Sequence, residues 1–170
     1  IKEVHVKARP VGSLSASSSG DIFVKDGLHV KGDLRLTAGS SGDISCQDIS
    51  CKDLHATSNS SGDISGKSVS CGLLTAASNS SGDIYFGGSK CQQADLQCNS
   101  SGDLHIKGLE CTHLIATATS AETSVCRVNV NKPNIQPRAA ATSMPAIWKP
   151  GMWMPTPLRQ ETFRATPRNR

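Results

Sequence analysis

Cys51, Cys71, Cys91 and Cys111 stand 20 residues apart, and so do the last four of Asp21, Asp43, Asp63, Asp83 and Asp103. Thiolates and carboxylates are the side chains here best suited to hold a metal, and carboxylates beside serine or histidine could do acid–base work. Spacing argues against both. A structural zinc site needs thiolates converging tetrahedrally on one point, whereas equivalent positions of a repeat form a straight row. The cysteines are therefore expected as a buried ladder of small hydrophobes. A disulfide between neighbouring repeats is unfavourable, because parallel Cβ atoms sit wider apart than the usual range of about 3.5–4.5 Å. The aspartates make an acidic row, in which neighbours about 4.8 Å apart at an effective dielectric of about 20 repel by roughly 3–4 kcal/mol before screening. Turn N–H groups, flanking serines or a bound cation would offset that repulsion, and turn capping is the expectation, since the glycine-rich nonapeptide of calcium-binding β-rolls is missing. His5, His29, His55, His105 and His113 never recur in one column beside a paired acid. No catalytic residue, cofactor or metal is expected, because such short repeats lack the loops that wall a cleft.

What positions these rows is a repeat. Ser-Gly-Asp-(Ile/Leu) occurs at 19–22, 41–44, 61–64, 81–84 and 101–104. A fixed period of this size marks a solenoid, one turn of chain per repeat. Aligned on the turn, Ile44, Ile64, Ile84 and Leu104 form one apolar column, followed by Cys46, Gly66, Phe86 and Ile106, then Ile49, Val69, Ser89 and Leu109. Beyond the cysteines come Leu54, Leu74, Ala94 and Leu114, then Ala56, Ala76, Leu96 and Ala116. The apolar steps within a coil are 2, 3, 2, 3 and 2, which predicts three short strands joined by bends and excludes helix. The expected fold is all-β, a right-handed parallel β-helix of about six coils and roughly 30 Å length over residues 1–130. Residues 1–18 read as an extra coil offset by 40 from Ile44–Ala56, and two additional residues near Asp26-Gly27 widen one turn. Turn glycines are expected at positive φ, and Asn59, Asn79 and Asn99 as an amide ladder.

Residues 131–170 differ in kind. They hold 7 Lys/Arg against 1 Asp/Glu, a net of +6, whereas residues 1–130 hold 11 against 13, a net of −2. Seven of the eight prolines, both tryptophans and all three methionines lie there, so the segment should run extended. Trp148, Met152, Trp153 and Met154 suit anchoring on a partner protein, and Arg159, Arg164 and Arg168 suit acidic protein groups or RNA phosphates. An odd count of seven cysteines and three crowded Asn-X-Ser sequons favour a reducing interior. No stretch is long and apolar enough to span a membrane.

The Ser-Gly-Asp-Ile turns followed by short apolar strands resemble the family of putative autotransporter-adhesin head domains, bacterial surface proteins with eukaryotic relatives. The resemblance covers residues 19–130 and rests on Ser19-Gly20-Asp21-Ile22 and its four successors. It implies a right-handed parallel β-helix with no catalytic residues to carry over. The cysteine row, the regular period and the basic tail lead to a different expectation of role. That expectation is a non-catalytic accessory subunit of a large intracellular assembly, mitochondrial in the first instance, strapped to neighbouring protein subunits by its tail. The alternatives are a cell-surface or secreted carbohydrate-binding adhesin and an RNA-contacting ribosomal accessory protein.

Overall fold

The computed structural model describes residues 11–99, 101–118, 126–130, 136–141, 147–148 and 164–165. All their regular elements are strands, and no helix among the described residues is long and apolar enough to cross a membrane. In chain order these are β1 (Ser13–Ala16), β2 (Ile22–Val24), β3 (Leu28–His29), β4 (Leu34–Ser40), β5 (Ile44–Ser50), β6 (Asp53–Ser60), β7 (Ile64–Ser70) and β8 (Leu73–Ser78). There follow β9 (Ile84–Lys90), β10 (Gln93–Cys98), β11 (Leu104–Glu110), β12 (His113–Ala118), β13 (Cys126–Val130), β14 (Gln136–Ala141), β15 (Ile147–Trp148) and β16 (Arg164–Ala165).

Every pairing is parallel. One sheet runs β1-β4-β6-β8-β10-β12-β14, and the facing sheet runs β13-β11-β9-β7-β5-β2, with β3 also on β5. The chain alternates between them, giving a β-solenoid of about five turns. Ile44, Ile64, Ile84 and Leu104 are partners in adjacent strands, as are Leu54, Leu74, Ala94 and Leu114. These residues are all buried, together with Ile49, Phe86, Leu96 and Ile106.

Four local features differ from expectation. From Ile44 onward the regular coils carry two strands instead of three, because the 46-to-49 step is a bend within one strand: the ladder skips Gln47, Lys67 and Gly87; the coil before keeps β2, β3 and β4 as separate strands. The two extra residues are split. Ile22 pairs with Ile44, Leu28 with Ile49 and Leu34 with Leu54, so offsets of 22, 21 and 20 place one insertion before Leu28 and one after His29. The first coil is consequently offset by 42, since Leu14 pairs with Leu36 and Leu36 with Ala56; Val4 and Val6 lie outside the described residues. Finally, β14 falls within the expected tail, where it pairs with β12. Pro137 can sit in this strand because β14 is the sheet's edge, where a missing N–H costs no ladder bond.

The turn glycine acts through space. Positive φ occurs at Ser18, Ser40 and Ser60, two residues before the glycine, and not at Gly42, Gly62, Gly82 or Gly102. The reason lies along the axis: a Cβ on Gly82 would overlap the Gly62 carbonyl oxygen and Ser58 Oγ, and one on Gly62 would meet Ala38 Cβ at 3.2 Å. The corners of successive coils touch backbone to backbone, leaving room for hydrogen only.

Gly82→Ala should therefore destabilise the protein by about 1–3 kcal/mol through overpacking. Gly88→Ala, where a Cβ meets nothing within 4 Å, is the control. Thermal melts followed by circular dichroism check this, and equal midpoints for the two variants would contradict it.

Candidate functional site

The alternation of β-strands that sends Ile44 and Cys46 inward turns Ser45 outward. In-register pairing then builds an outer file of Phe23, Ser45, Ser65, Tyr85 and His105. Beside it, at the corner, runs the row of Asp43, Asp63 and Asp83. Together Asp43, Ile44, Ser45, Asp63, Ile64, Ser65, Asp83 and Tyr85 line an open groove of about 330 Å³. The Ser45 and Ser65 hydroxyls hydrogen-bond each other at 2.9 Å. Tyr85 is 37% exposed; His105 meets it edge-on with ring centroids 6.1 Å apart, and Lys107 Nζ lies 5.1 Å from its centroid. Phe23, further along the file, is 68% exposed.

The acidic row is tied together by the backbone. Asp21 Oδ1 accepts the Asp43 N–H at 3.1 Å, Asp43 Oδ1 that of Asp63 at 2.9 Å, Asp63 Oδ1 that of Asp83 at 2.8 Å and Asp83 Oδ1 that of Asp103 at 2.8 Å. The partner is thus the next coil and not the residue's own turn, because the corner points each carboxylate along the axis. These charge-assisted bonds oppose the like-charge repulsion. Partial burial, then the Asp83 and Asp43 charges, hold the Asp63 carboxyl above the ordinary carboxylate range against the lowering effect of the Asp83 N–H.

The cysteine row stands on the other bend. Cys91 and Cys111 are buried, Cys51 and Cys71 half-buried, and all four are free thiols. The neighbouring Cys111 and Cys71 thiols drive the Cys91 pKa up, while Cys91 lowers theirs. Burial, followed by the charges of Cys71, Asp53 and Asp33, pushes the Cys51 thiol up to about 12. Cys46, inside the core, is pushed by burial to about 11. Among the described residues no three His, Cys, Asp or Glu converge on a common metal position.

Two further files flank the corner. Asn79 Nδ2 donates to Asn59 Oδ1 at 2.9 Å, and Asn99 Nδ2 to Asn79 Oδ1 at 3.0 Å. Ser58 and Ser78 are fully buried and donate to the Gly62 and Gly82 carbonyls at 2.6 and 2.8 Å. The inward alternation through Leu54 and Ala56 predicts Ser58 as the next inward residue, but its hydroxyl reads as turn chemistry. Of the tail residues expected at a partner interface, Trp148 lies in β15 and Arg164 in β16, which pair as Ile147 with Arg164 and Trp148 with Ala165. Met152, Trp153, Met154, Arg159 and Arg168 lie outside the described residues.

The groove offers carboxylate acceptors, hydroxyls that donate and accept, and one aromatic face with a cation beside it. This is the complement of a polyhydroxylated ligand, whose hydroxyls need acceptors and whose C–H faces suit an aromatic ring.

The family described as putative auto-transporter adhesin, head GIN domain, matches this chain over residues 2–132. No curated protein and no solved structure gives a significant match. The family match overturns the expectation of an intracellular, mitochondrial accessory subunit and favours the surface-adhesin alternative. The odd cysteine count and the crowded sequons do not mark a compartment here. Within a solenoid both follow from repetition, since a residue type suited to one bend recurs at every bend.

Asp63→Asn keeps an oxygen for the Asp83 N–H but removes the charge. A carboxyl raised in the folded state favours folding while protonated, and that contribution is lost as pH rises through its folded pKa. The variant should therefore melt higher than wild type at pH 7, the gap closing as pH falls through the carboxylate range. Melts at several pH values check this; a constant gap, or a lower midpoint at pH 7, would rule it out.

Proposed function

The chain belongs to the auto-transporter adhesin head-domain family, and from that premise we propose that it is a non-catalytic, glycan-binding head domain acting at a cell surface. The observation carrying the ligand class is the open groove at Asp43, Ser45, Asp63, Ser65, Asp83 and Tyr85. Sugar hydroxyls bridge the carboxylate oxygens left over from the axial N–H bonds and the paired serine hydroxyls, and the sugar's C–H face rests on Tyr85. The negative row repels sulfated and sialylated chains, so the ligand class is neutral glycan.

A rigid body suits this role. Hydrogen bonds along the axis fix each groove residue before the ligand arrives, so little ordering entropy is lost on binding. An open groove of this size suits weak individual contacts, with avidity from several copies on one surface.

Purified protein should bind a subset of neutral oligosaccharides on a glycan array, with acidic glycans excluded. Tyr85→Ala should weaken that binding by roughly twofold to tenfold, as expected for loss of an aromatic contact worth about 0.5–1.5 kcal/mol. No glycan binding at all, or binding unmoved by both Tyr85→Ala and Asp63→Asn, would defeat the proposal.

A further inference from the structure

The thiol row plays no part in the groove. We propose that Cys71, Cys91 and Cys111 form a binding site for soft monovalent cations of the copper(I)/silver(I) class, each ion held two-coordinate between thiolates of successive coils. The argument starts from register. Cys71, Cys91 and Cys111 occupy equivalent places on adjacent coils, with Cys71 N–H bonded to the Lys90 carbonyl and Cys91 N–H to that of Glu110. Backbone repeat therefore spaces the equivalent cysteines at close to the strand interval of about 4.8 Å, thiol beside thiol along the axis.

A straight row selects its ion by geometry. Zinc requires four ligands around one point, and no three candidate groups converge among the described residues. Copper(I) and silver(I) accept two thiolates on opposite sides, which is what adjacent members of a row present, and soft sulfur is their preferred donor. Binding is a proton exchange without change of oxidation state. The cation sits between two sulfurs, each ligating thiol releases its proton to solvent, and two sulfur–metal bonds form. Half-exposed Cys51 and Cys71 give the row an open end for entry, which a bound metal needs.

The test uses the reduced full chain titrated with silver(I), and with copper(I) under anaerobic conditions, against a chromophoric competitor. Near-ultraviolet charge-transfer absorption should appear at stoichiometric metal, and zinc should not compete. Cys71→Ser and Cys111→Ser singly each leave a neighbouring pair and should retain binding. Jointly they leave Cys51 and Cys91 two coils apart, and affinity should fall by at least roughly tenfold. Cys46→Ser and Cys98→Ser, on other columns, should behave as wild type, and circular dichroism shows whether each variant folds. Wild-type affinity in the folded double variant, or zinc displacing silver, would overturn the proposal. If the double variant fails to fold, protection of Cys71, Cys91 and Cys111 from alkylation by silver in the wild-type chain decides it, since unprotected thiols overturn it equally. None of these readouts involves glycan, so the two proposals stand or fall separately.

Discussion

Parallel hydrogen bonding between each residue and its counterpart 20 positions on places equivalent side chains in continuous axial files. Everything else in the molecule is a consequence of how each file tolerates its own repetition. Apolar files do so by packing, and where one member is large its neighbour is small. Phe86 fills the space over Gly66, at which a Cβ would come within 2.9 Å of the ring. Polar files do so by bonding along the axis, as in Asn59–Asn79–Asn99. The glycine corner is the limiting case, in which nothing larger than hydrogen fits and the coils are held at contact distance.

Charge is the hardest property to repeat. An acidic row at strand spacing is self-repelling, yet each carboxylate gains the N–H of the aspartate one coil further on. A hydrogen bond to a charged group contributes about 1.5–3 kcal/mol, comparable with the unscreened repulsion of roughly 3–4 kcal/mol. Solvent screening at this half-exposed corner lowers the repulsion further, so the row is tolerated, with burial and the neighbouring charges raising the Asp63 carboxyl.

The period and the columns were legible because stacking makes equivalent positions share one environment, so Ile44, Leu54 and their successors announce the interior by recurrence alone. What the chain concealed is what depends on the third dimension of the corner. Glycine at 62 and 82 reads as a φ requirement, but the crowding comes from a carbonyl 20 residues away, and the left-handed conformation falls on Ser40 and Ser60. Ser58 and Ser78 continue the inward alternation from Leu54 and Leu74, but nothing local shows that a buried hydroxyl there has the Gly62 or Gly82 carbonyl to bond. The outward column of Ser45, Ser65, Tyr85 and His105 is mixed in type, so the chain shows the column but not the groove it forms beside Asp43, Asp63 and Asp83.

That difference between files separates the molecule's two chemistries. The thiol row is chemically uniform, so any ligand it takes must be satisfied by a repeated donor, and a linear two-coordinate cation meets that demand. The outer file changes from Phe23 through serines to Tyr85 and His105, so it presents different groups at its two ends. A uniform file can select an ion by geometry alone. Recognition of an extended ligand needs variation along the axis, and the groove lies where the regular acidic row runs beside the file that varies.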